Sequence, residues 1–153
     1  MNKYLKYLLP MAFLLTASSF TSAESLKPLS VYITEANPDA SRVSYVMARC
    51  SALYMGIQII SEKSNPELGK RYEVAGQTAL YKFVETSEIA NKEKNPNYTA
   101  PKDIATKAVS TVKDISKMYK PLLQDSYVST GSYLSNPLIK GDLEVCQSLA
   151  NGK

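Results

Sequence analysis

An all-α fold is what this sequence predicts, and three observations predict it. After residue 40, apolar residues recur at spacings of three and four, strand-like alternation is almost absent, and prolines sit where helices should begin. Cys50 and Cys146, the two cysteines, fall on the first and last of the expected helices. The expected architecture is an antiparallel four-helix bundle stapled by one disulfide, with an irregular N-terminal arm.

Residues 1–23 read as a signal peptide. Lys3 and Lys6 form a basic n-region, Tyr7 to Leu15 is an apolar run too short to span a bilayer, and Thr21-Ser22-Ala23 offers a cleavage site. Cleavage near Ala23 would export residues 24–153 as a single helical domain, to the periplasm or the medium. No cysteine follows the cut, so a lipid-anchored form is not expected. An oxidising destination makes a Cys50–Cys146 disulfide the favoured state of the two thiols.

Residues 24–40 hold Pro28 and the turn signal Asn37-Pro38-Asp39, with Val31 and Ile33 alternating with polar neighbours, which predicts an extended arm lying on the domain, with a short strand or one helical turn as the alternatives. The first helix is expected over about 41–63. Val43, Val46, Cys50, Leu53, Ile57 and Ile60 form its seam, Ser44, Ser51, Gln58 and Glu62 a polar stripe, and Ala48, Ala52 and Gly56 a ridge that lets another helix come close. Arg49 interrupts this apolar run. Asn65 and Pro66 begin a second helix, about 66–91, with Leu68, Tyr72, Ala75, Ala79 and Phe83 inward.

Residues 91–102 are polar and proline-punctuated and predict an exposed connection. The third helix, about 103–127, takes Ile104, Ala108, Val112, Ile115, Met118, Tyr119 and Leu122 inward, and Pro121 should kink or break it. Pro137 opens the last helix, about 137–150, with Leu138, Leu143, Cys146 and Leu149 inward and a restart after Gly141 capped by Asp142.

Composition narrows the function. Removing 23 residues and their two lysines leaves 130 residues carrying 16 basic and 14 acidic groups, a net charge of +2 with no clustering. Nucleic acid is therefore not an expected partner. No stretch of the mature chain reads as a membrane span, Val43 to Ile60 being broken by Ser44, Arg49, Ser51 and Gln58. Histidine is absent, which removes the commonest general base and metal ligand, so no metal or other cofactor is expected. Ser110 and Lys113 match Ser-x-x-Lys, but the companion motifs of penicillin-binding enzymes are missing. Glu85 and Glu88 could share a helix face, yet nothing apolar surrounds them to raise a carboxyl pKa. An enzyme is not expected.

Nine tyrosines remain after cleavage, against one phenylalanine, Phe83, and no tryptophan. Tyrosine joins apolar area to a polar tip and suits either the rim of a small core, with its hydroxyl in water, or a contact surface. Tyr98, Tyr127 and Tyr133, in or near loops, are the candidate contact residues. The expected function is a non-enzymatic binding or inhibitory module toward another protein, with a small-ligand-binding periplasmic bundle as the alternative. The build is similar to that of some periplasmic immunity proteins and inhibitors of cell-wall enzymes, an analogy of architecture without a shared motif.

Overall fold

Asp39 starts the central helix: its carboxylate accepts a hydrogen bond from the Arg42 amide at 2.8 Å and caps α2 (Ala40–Ser61). The structure, a computed structural model, describes residues 26–33 and 38–152, so the expected leader and its cut near Ala23 lie outside it. Around α2 stand the one-turn α1 (Ser30–Ile33), α3 (Pro66–Lys94), α4 (Ile104–Thr130), a 3₁₀ turn (Tyr133–Ser135) and α5 (Pro137–Ala150). No strand occurs among the described residues. α2 is long and apolar enough to cross a membrane, and most of it is buried inside the fold.

The seam of α2 forms as its spacing predicts: Val46, Cys50, Leu53 and Ile57 are buried, with Val43 and Ile60 half-buried near its ends. Its serines are packed more tightly than a polar stripe implies. The Ser51 hydroxyl donates to the Gly76 carbonyl at 2.9 Å, and the Ser44 and Ser87 hydroxyls lie 2.6 Å apart. Small residues permit that approach to α3, since a β-carbon on Gly76 would already touch Tyr54 Cβ at 3.4 Å. The ridge ending at Gly56 serves α4 instead. A β-carbon there would come within 2.8 Å of Leu123 Cδ1.

Asn65 caps α3 through the Leu68 amide at 3.1 Å, ahead of Pro66. α3 runs to Lys94, three residues past the expected end, with Lys92 and Lys94 offsetting the negative end of its dipole. α4 passes through Pro121 without a break and ends at Gly131, whose φ of 71° is left-handed. The helix tolerates this proline because Pro121 and Lys117 are both exposed, so water can serve the carbonyl left without a donor. Met118, expected inward, is exposed, and Leu123 fills the core position at the other side of the turn.

α5 is also continuous. The Asn136 side chain caps it, accepting from the Leu138 and Ile139 amides at 2.9 and 3.2 Å, so the predicted restart at Gly141 does not occur and Asp142 is no cap. α5 begins beside the end of α4, where the Asn136 amide donates to the Ser126 hydroxyl at 3.2 Å. It then passes α2, where Cys146 is bonded to Cys50, and ends beside Leu68 and Tyr72 of α3. Of the readings open for the arm, the single helical turn is the one that forms, and Leu29 is its buried anchor while Val31 is exposed.

Candidate functional site

Among the described residues, Arg49 and Asp142 are the charged ones that the fold buries completely, and they meet. The Arg49 guanidinium pairs with Asp142 Oδ2 through Nη2, donates to the Tyr119 hydroxyl through Nε at 2.8 Å, and donates to the Lys27 carbonyl through Nη1 at 2.5 Å. The Tyr119 hydroxyl donates to Asp142 at 2.5 Å, and the Leu29 amide donates to its other oxygen at 2.7 Å. The guanidinium also lies 5.3 Å from the Tyr119 ring centroid and 5.9 Å from that of Tyr45. Among the described residues no buried side-chain nitrogen or oxygen lacks a partner.

Charge and burial set the protonation here. Burial, followed by the Asp142 charge, pushes the Tyr119 phenol far above its ordinary value, so it stays a neutral donor. Burial works against the Arg49 cation, but Tyr119 and Asp142 outweigh it and the guanidinium value is raised. This centre is buried, and each of its side-chain nitrogens and oxygens has a partner. It joins the arm, α2, α4 and α5.

The sequence reading took Arg49 as an interruption and missed this cluster. A signal was present: Arg49 precedes Cys50 by one residue and Asp142 precedes Cys146 by one helical turn. Joining the cysteines puts the two charges side by side.

The predicted contact tyrosines divide into two places. Tyr127 and Tyr133 come together, their rings stacked with centroids 4.8 Å apart. Tyr98 lies in the connection before α4, whereas Tyr127 is in its last turn. Some 23 helical residues separate them, about 35 Å along the axis. Tyr98 belongs to the opposite end of the molecule.

Around the stacked pair, Val128 is 86% exposed and Leu134 50% exposed. Hydroxyls hold this corner. The buried Ser126 donates to the Ser132 carbonyl at 2.8 Å and contacts the Ser135 hydroxyl, and the Thr130 hydroxyl donates to the Ser126 carbonyl at 2.8 Å. The Ser132 hydroxyl accepts from the Leu134 amide at 3.2 Å. The turn is therefore fixed by its own polar groups and leaves its apolar side chains facing water.

The other candidates stay apart from any cleft chemistry. Ser110 and Lys113 are exposed on α4, and Glu85 pairs with Lys82 at 2.8 Å in water. No group of three His, Cys, Asp or Glu side chains converges among the described residues. A disulfide-tied helical protein, with a buried ionic centre and a tyrosine-bearing corner, is the class that this fold and site define. Compared with protein families, with characterised proteins and with solved structures, the chain matches none of them.

Proposed function

We propose that this chain is an exported, non-enzymatic module that binds another protein through the corner around Tyr127, Val128, Tyr133 and Leu134. The observation that carries the reading is the combination of exposed apolar side chains with a turn held by its own hydroxyls. A contact loop ordered beforehand loses little entropy on binding, and tyrosine supplies contact area with few rotatable bonds. Export is supported by the disulfide, which suits an oxidising compartment outside the cytoplasm, and by the leader-like residues 1–23.

The scaffold we infer is an antiparallel bundle. Ser44 meets Ser87, Ser51 meets Gly76 and Glu62 meets Gly69, so numbering falls along α3 as it rises along α2. A photo-crosslinking residue in place of Val128, introduced in exporting cells, tests the function. An adduct of defined mass that is absent with the same residue at Thr111, and abolished by Tyr127→Asp, is the expected result. No adduct, or equal labelling at both positions, refutes it.

A second reading, small-ligand binding, is favoured by an open groove over α2 between α3 and α5. Its two overlapping compartments measure about 300 and 280 Å³ and share Tyr54, Ala75 and Ala150.

A further inference from the structure

α5 is short and α3 is long, and the two make next to no contact with each other across α2. What lies between them is the groove. Its chemistry changes from end to end. One end is mostly apolar, lined by Met47, Ala79, Leu149 and the Cys50–Cys146 bridge, with Thr78 and Lys82 beside them. The other carries Arg71, Gln147 and Asn151, groups that donate hydrogen bonds. Tyr54 and Tyr72, with ring centroids 5.7 Å apart, stand at the Arg71 end, and Tyr54 reaches both compartments.

Among the described residues lining the groove, the charged side chains are Arg71 and Lys82. Lys82 is already engaged by Glu85 at 2.8 Å. Arg71, which lines a neighbouring hollow together with Glu67, is in none of the ion pairs formed among the described residues. From Arg71 to Ala79 is eight helical residues, about 12 Å, a span that a medium-length alkyl chain can cover.

We propose that this groove binds a single-chain amphipathic carboxylate of the medium-chain fatty acid class. The carboxylate lies at Arg71, with the Gln147 and Asn151 amides beside it. The alkyl tail lies on Ala79, Leu149 and the disulfide. A bidentate guanidinium–carboxylate pair fixes the direction of entry, and burial of methylenes supplies most of the affinity. This inference rests on the groove being a ligand site and gives it a ligand chemistry.

Titration of the oxidised, processed protein with decanoate, decanol and decyltrimethylammonium, followed by calorimetry and by the methyl resonances of ¹³C-methionine, tests it. Met47 lines the groove and Met118 lies exposed on α4, so decanoate should shift the Met47 signal and leave Met118 in place. Decanoate should bind one to one, and the cationic surfactant about tenfold more weakly. Arg71→Glu should weaken decanoate by about tenfold and leave decanol unchanged. Ala75→Trp should abolish both.

Equal binding of all three probes, lost together in Ala75→Trp, overturns the carboxylate assignment while the groove remains a ligand site. An unmoved Met47 signal with every probe overturns both. Binding to phosphatidylglycerol vesicles without binding of free decanoate also overturns the proposal.

Discussion

The two sides of α2 are held by different means. Toward α3 the contact is close packing: Gly76, Ala79 and two serines bring the helices together, and a short turn at residues 62–65 joins them. Toward the arm and α5 the contact depends on directional bonds between residues far apart in sequence: Arg49 with Asp142, Asp142 with the Leu29 amide, and Cys50 with Cys146. The difference follows from length. α3, with 29 residues, runs along α2 from Gly69 beside Glu62 to Ser87 beside Ser44, whereas α5 has 14 and the arm a single helical turn. A short element gains little from burial, so specific bonds must fix its seat.

Removing the disulfide should break the comparison most strongly. Cys50 and Cys146 are 96 residues apart, a loop whose closure is worth about 4–5 kcal/mol in the chain-entropy view. The Cys50→Ser/Cys146→Ser variant, or reductant on the parent, should lower the urea midpoint accordingly. Amide exchange should then rise first in α5 and the arm and last across α2–α3. Uniform loss of protection would show that the two sides are one cooperative unit.

Breaking the ion pair comes next. Arg49→Met or Asp142→Leu alone should cost about 3–5 kcal/mol, because each strands a buried charge. The double replacement should recover much of that loss in a double-mutant cycle, since it removes both charges at once. Additive losses would mean that the pair is not coupled.

Alkaline titration sharpens the comparison further. The folded Tyr119 phenol lies above its unfolded value near 10. Above that pH the unfolded chain loses a proton that the fold retains, so stability is intact below about pH 10 and falls as pH rises further. Burial acts in the same direction on Tyr54 and Tyr72. Tyr119→Phe should flatten this decline in unfolding midpoints measured from pH 8 to 11. The smallest effect belongs to the α3 side: Ser51→Ala should cost about 1 kcal/mol by thermal unfolding, the worth of one buried neutral hydrogen bond.

The same division explains what the sequence made legible. Helix periodicity and caps report local physics, so α2 and α5 were read within two residues at each end, and the Cys50–Cys146 pairing followed from compartment and count. The ends of α3 and α4 ran three residues further than expected, where Lys92, Lys94 and Gly131 act after the apolar pattern fades. Leu29 was missed because one leucine in an irregular arm has no periodicity to mark it. Arg49 and Asp142 were missed because a charge looks solvated until its distant partner is known. The tyrosine corner was half legible: loop position pointed to Tyr127 and Tyr133, but equally to Tyr98, which only the length of α4 separates from them.

Arg49 also imposes an order of events on a chain emerging from its N-terminus. Until residue 142 has appeared, the guanidinium has no counter-charge, and sinking it into the interior is costly. Nascent polypeptide should therefore stay loosely organised until α5 is out, a property that would suit the export proposed above, in which a chain threads a narrow channel before its structure closes.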